Sequence, residues 1–210
     1  MVVNRWGTGR TEAFSDGVFA IAITLLVLDI NIPQSDFDDL WHAIVHEWPA
    51  YLAYATSFLT VGGMWLAHHG IFRRLRYIDA RVMRINLILL MFVSFLPFPT
   101  RLAAEAIHNA NSERVAIIFY GLTLFIISAL AGVLWTQVTR HRELLRDDVT
   151  DEEISEITKR AAPSIGFYAG ATLLAIPAPR AAAIVYLVIG VSGVLLARGD
   201  TIGPREPEPV

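Results

Sequence analysis

The sequence predicts an all-α integral membrane protein with six membrane-crossing helices per chain. Three observations predict it. Of 210 residues, 54% are hydrophobic and 18% charged, and the mean hydropathy is +0.49, more apolar surface than a soluble domain of this length needs. The apolar residues fall in several long, nearly uncharged runs, each near the ~17–25 residues of a spanning helix. The Lys and Arg residues gather at alternate connections between those runs.

The runs place helices over residues 13–31, 49–71, 82–103, 113–137, 163–178 and 181–197. Arg5 and Arg10 precede the first run in the manner of a signal peptide. The run is too long for one, however, and Asp29-Ile-Asn-Ile-Pro33 after it is not a small-x-small cleavage site, so a retained helix is expected. The 31–48 connection carries Pro33, Asp36, Asp38 and Asp39 and reads as an exposed acidic loop. Gly62-Gly63 in the second run permits close helix packing. Residues 140–160 are strongly charged, and Thr150-Asp-Glu-Glu153 is a capping box that predicts a helix start outside the membrane. The last two runs are short and meet at Pro177-Ala-Pro179, a tight turn between antiparallel helices. Residues 1–200 form one transmembrane domain, and 201–210, rich in Pro and Glu, a short disordered cytoplasmic tail. No internal repeat is visible.

Six crossings put fourteen of the seventeen Lys and Arg residues on one side and only Arg101, Arg114 and Arg180 on the other. The positive-inside rule then makes both termini cytoplasmic. A net charge of −3 without a compact basic face argues against nucleic acid as a partner. The absence of Cys excludes disulfides, thiol catalysis and thiolate metal sites. His42-Ala-Ile-Val-His46 has the i,i+4 spacing of a metal pair but lacks the glutamate of His-Glu-x-x-His, so no metal site is expected there. The acidic run from Asp147 to Glu156 has no EF-hand glycine spacing and reads as a solvated face.

The most informative stretch is Arg10-Thr-Glu-Ala-Phe14-Ser15-Asp16-Gly17, fused to the apolar helix that follows. A charge at mid-bilayer costs about 2.5–3.5 kcal/mol and less near an interface, so an ionisable group there is a candidate functional residue. The topology sets Ser15 and Asp16 shallow on the inner side, with Trp65, His68 and His69 of the second helix and Asn86 of the third at similar depth. Polar groups in lipid need partners, and this layer offers them one another; the plainer alternative is that each sits separately at the head groups. On the first helix, Ile21, Leu25 and Leu28 fall within about 60° of one another, with Thr24 beside them. Such a stripe is more often a core or lipid contact, and periodicity alone does not make it a pore.

The residues Arg10, Phe14, Ser15 and Asp16 match an Arg-x-x-x-Phe-Ser-Asp signature that resembles the first helix of the transmembrane protein 175 family of potassium channels. The likeness continues in Trp65-Leu-Ala-His68-His69 and in Asn86-Leu-Ile-Leu-Leu with Phe95-Leu-Pro97-Phe98. It covers about the first 100 residues by motif and the rest by helix count. The chain is similar to the bacterial, single-repeat members. The resemblance implies a homotetramer in the plasma membrane whose four first helices line a central pore, with no re-entrant filter loop. It implies a hydrophobic gate of Ile21, Leu25 and Leu28, a selectivity layer at Thr24, and potassium as the permeant ion with no cofactor and no enzyme activity. Arg10, Phe14, Ser15, Asp16, Trp65, His68, His69 and Asn86 then form a structural network tying the first helix to the second and third. Other readings stay open: a proton-leak path or cation carrier using Asp16 and the His68/His69 pair, a redox or metal enzyme built on the histidines, or a non-conducting structural protein.

Overall fold

The fold is known from a computed structural model, which describes residues 6–196; the tail 201–210 and the boundary placed at 200 lie outside the described residues. Helix α1 runs Gly9–Leu25 and tightens into a 3-10 turn, Leu26–Asp29. A second 3-10 segment, Gln34–Asp39, leads to a short helix, α2, Leu40–His46, capped where the Asp39 carboxylate accepts from His42 N at 3.2 Å. Helix α3, Trp48–Arg73, opens with Pro49, whose missing N–H costs nothing in a first turn. Asp79 caps α4, Ala80–Phe95, by accepting from Arg81 N at 3.0 Å and Val82 N at 2.7 Å. The single helix expected over 82–103 is two helices: α4 stops at Phe95, and α5, Pro97–Glu105, follows after Leu96. Pro97 and Pro99 have no N–H to give the preceding turn, so the hydrogen-bond ladder is interrupted there.

Asn109 caps α6, Ala110–Arg140, and Thr150 caps α7, Asp151–Leu174, by accepting from Glu153 N at 3.2 Å. The fifth helix thus starts at the capping box rather than at 163, and it carries Pro163 in its interior. The box is only half used, because the Glu153 carboxylate accepts from Arg74 Nε at 2.8 Å instead of turning back to Thr150. Helix α8 runs Pro179–Leu196.

The long helices pack around a core that includes Phe19, Val61, Leu90, Leu124, Tyr120 and Tyr186. Tyr186 sets how close its neighbours come: a Cβ on Gly121 would overlap its hydroxyl, so only glycine fits. The α3–α8 contact is equally tight, and a Cβ on Gly190 would meet Thr60 Oγ1 at 2.7 Å. Gly63 faces Gly193 across the same contact, whereas Gly62 has open space beside it. Buried hydroxyls pair among themselves: Ser57 Oγ with Thr100 Oγ1 at 2.8 Å and with Tyr120 OH at 3.0 Å, and Tyr186 OH to Thr172 at 3.2 Å.

A second apolar cluster, with Phe72, Leu75, Ile78, Val82, Leu134 and Val138, closes the end of the bundle where α1 begins. Strand-like backbone pairs clamp that end. Trp6 exchanges bonds with Ile78 at 3.0 and 2.9 Å, and the 74–76 segment bonds to Leu144 and Arg146. Arg74, only 3% exposed, caps the arrangement by donating to Gly70 O at 2.7 Å as well as to Glu153. Among the described residues three helical stretches are long and apolar enough to cross a membrane, Gly9–Asp29, Ala80–Glu105 and Ala110–Arg140. Helix α8 is apolar but shorter, α3 is diluted by Trp, Tyr and His, and the first third of α7 is charged.

Candidate functional site: the open face of helix α1 and its polar anchor

Helix α1 has two faces of different chemistry. Glu12, Ser15, Phe19, Ala22 and, one turn further, Leu26 are buried against α3, α4 and α5. Among the described residues, no other part of the chain covers the opposite face. Phe14, Gly17 and Ala20 are exposed on it, as are Ile21 (61%), Leu25 (41%) and Leu28 (71%). The 3-10 turn refines the alignment: at three residues per turn Leu28 comes round directly above Leu25, where a continuous α-helix would set it about 60° aside. Thr24 lies on the same open face. Its hydroxyl lies within donating distance of Ala20 O at 3.0 Å and Ile21 O at 2.9 Å, so its one proton is engaged inside the helix, while the exposed oxygen keeps its capacity to accept.

On the buried side, three helices meet through polar atoms. His68 Nε2 lies 2.8 Å from Asn86 Oδ1, Asn86 Nδ2 donates to Ser15 Oγ at 3.0 Å, and Ser15 Oγ donates to Thr11 O at 2.8 Å. Because Ser15 uses its only proton on Thr11, Asn86 must present its amide nitrogen to Ser15 and its oxygen to His68. An amide oxygen only accepts, so His68 carries its proton on Nε2. His68 Nδ1 is buried without a partner among the described residues, and the ring stacks on Phe72 at 4.4 Å and tilts against Phe19 at 5.3 Å.

A second contact runs beside it. Trp65 Nε1 donates to Asp16 Oδ1 at 2.8 Å, and the Trp65 indole stacks on the His69 ring at 5.6 Å. His69 Nδ1 lies 3.4 Å from Glu12 Oε1. The structure therefore joins Ser15 to Asn86 and His68, and Asp16 to Trp65 with His69 alongside. Arg10 is exposed and has no hydrogen-bond or ion-pair partner among the described residues, and Phe14 is on the open face. Glu12 is the member that sequence reasoning missed. Its signal was present, one helical turn before Asp16 on the face carrying Ser15. No cluster of three or more His, Cys, Asp or Glu that could hold a metal occurs among the described residues.

The profile of the family described as the endosomal/lysosomal potassium channel TMEM175 matches residues 10–97, the segment that holds every residue of this site. A potassium channel of Chamaesiphon minutus is 40% identical over 164 residues, 77% of this chain and 80% of that one. The chain belongs to the TMEM175 family. Within the TMEM175 family, a potassium channel of Streptomyces collinus is 45% identical over 134 residues, 63% of this chain and 65% of its own. The zebrafish (Danio rerio) protein, described as the endosomal/lysosomal proton channel TMEM175, is 37% identical over 146 residues, and the match spans 28% of its length. The crystal structure of a lysosomal potassium-selective channel TMEM175 homologue from Chamaesiphon minutus superposes with a TM-score of 0.82 at 37% identity, over 91% of this chain and 98% of that one. The protein is thus a helical membrane protein of an ion-channel family.

Proposed function

We propose that this chain is a potassium-preferring cation channel, assembled as a homotetramer with one α1 helix from each subunit around the axis. The observation that carries the reading is the open face of α1. It is uncovered among the described residues, and it combines large apolar side chains with an exposed hydroxyl whose proton is engaged by the helix backbone. Facing one another across a four-fold axis, Leu28, Leu25 and Ile21 form narrow apolar rings. Such rings expel water and close the path by dewetting, with no re-entrant filter loop. Thr24, between two of those rings, supplies oxygen ligands to a partly dehydrated potassium ion. A pore lined by one helix per chain requires several chains in closed symmetry.

The remaining parts serve this arrangement. Ser15, Asn86, His68, Asp16 and Trp65 hold the inner half of α1 against α3 and α4, so the pore helix is fixed on its back face. Residues 1–200 form one domain crossing the plasma membrane six times, with the basic end of the bundle, both termini and the 201–210 tail in the cytoplasm. The potassium-channel names of the two bacterial relatives support the choice of ion.

Potassium flux into liposomes containing purified protein tests the reading. Wild-type protein should carry a current with single-channel steps far above carrier turnover. Ile21→Asn and Leu28→Asn should raise it, and Thr24→Val should lower the preference for potassium over sodium. If all three variants conduct like wild type, α1 does not line the pore; wild-type vesicles without ion flux would leave the protein a structural role.

A further inference from the structure

Two imidazoles stand together at the end of the bundle farthest from the polar anchor. His42 and His46 lie one helical turn apart on α2, both exposed, with ring centroids 6.1 Å apart and ring planes inclined at 32°. The Asp39 cap fixes the first turn of α2 and with it the direction from which His42 projects. Of its seven residues only Ala43 is buried, and a helix that short is marginal in water without an added constraint.

We propose that His42 and His46 form a two-imidazole site for a divalent transition ion, Cu2+ or Zn2+, from the solution bathing this end, and that the bound ion locks α2. Metal–nitrogen bonds of about 2.0–2.1 Å place two imidazoles on one ion with centroids about 5 Å apart. Side-chain rotation closes the remaining ångström, since both histidines are exposed. The chelate spans i to i+4 and therefore joins consecutive turns of the helix. Water completes the coordination, so the ion is exchangeable and is a modulator rather than a resident cofactor. Imidazole favours Cu2+ over Zn2+ by the Irving–Williams order and excludes Mg2+ and Ca2+, which require oxygen ligands.

The test uses the full chain in detergent micelles, titrated with CuCl2 and ZnCl2 and read by calorimetry, Cu2+ electron paramagnetic resonance and hydrogen exchange. Wild type should bind one Cu2+ per chain with the hyperfine pattern of two imidazole nitrogens, more tightly than Zn2+, and give no heat with MgCl2. His42→Ala or His46→Ala should weaken Cu2+ binding at least tenfold, and the double variant should lose the two-nitrogen signal. His141→Ala, which alters another imidazole, should leave it intact. Metal should slow exchange over residues 40–46 in wild type only. A one-nitrogen signal, a two-nitrogen signal that survives the double variant, or unchanged exchange over 40–46 would overturn the proposal. None of these readouts depends on ion conduction, so they stand or fall apart from the channel reading.

Discussion

Asn86 is the residue on which the back of α1 depends most, because among the described residues it hydrogen-bonds both His68 and Ser15. Asn86→Leu strands the His68 Nε2–H and removes the donor to Ser15; an unsatisfied buried group costs about 1–3 kcal/mol, so a clear fall in melting temperature is expected in detergent, while Asn111→Leu, at an exposed position, leaves it unchanged. Asp16 allows a finer distinction. Its bond is accepted from the Trp65 indole, and Asn offers the same oxygen, so Asp16→Asn should cost less stability than Asp16→Ala. A larger loss with Asn would mean that the charge, not the acceptor, holds the contact. The amide at Asn86 also bears on the proton-leak alternative. A carboxamide neither takes up nor releases a proton near neutral pH, so a relay from His68 along this chain of bonds stops there. The sequence made part of this site legible, since equal depth on three antiparallel spans put Ser15, Asp16, Trp65, His68, His69 and Asn86 in one layer. It could not show which polar atom meets which. That depends on helix rotation, and rotation separated Arg10 from the layer while bringing Glu12 into it.

At the level of elements, two tight glycine contacts decide how the bundle closes. Alanine is about 1 kcal/mol better than glycine inside a helix, so a neutral packing environment would make Gly121→Ala stabilising. The overlap with Tyr186 predicts the reverse, a loss of about 1–3 kcal/mol, read as a lower melting temperature and only partly relieved by Tyr186→Phe, since Thr172 Oγ1 at 2.5 Å and the Tyr186 ring at 2.8 Å stay in the way. Helix α7 offers a second test. Its charged first turns are held to the rest of the chain through Glu153 and the buried Arg74, and Arg142 pairs with Asp151 in the same region. Arg74→Leu should speed hydrogen exchange over residues 150–160 while leaving the apolar half of α7 protected. Element boundaries were legible where a cap marked them, as at Thr150. They were misplaced where apolarity was the guide: the charged start of α7 escaped a hydropathy reading, and the break at Leu96 escaped it because Pro97 and Pro99 sit inside an otherwise apolar run.

For the whole molecule, the uncovered face of α1 predicts assembly. The 23.3 kDa chain should run as a tetramer in nanodiscs, and native mass measurement giving only monomer or dimer would count against the pore. Gly17 tests the contact itself. A Cβ there meets nothing within 4 Å in the chain, so Gly17→Trp should leave the subunit folded, with wild-type helical signal, yet shift the mass distribution towards monomer. The all-helical membrane character was legible from composition and the apolar runs alone. What covers the open face of α1 was not, because a face awaiting another subunit and a face awaiting lipid are written in the same apolar residues. The 3-10 turn at Leu26–Asp29 gives that arrangement a mechanical property. An α-helix advances about 100° and 1.5 Å per residue and a 3-10 helix about 120° and 2.0 Å. Rewinding the three steps from Leu25 to Leu28 as α-helix would swing Leu28 through about 60° and draw it in by about 1.5 Å. Made together in the four subunits of the proposed assembly, that motion would be the turning of an iris, in which a screw at the mouth of each blade sets the width of the aperture.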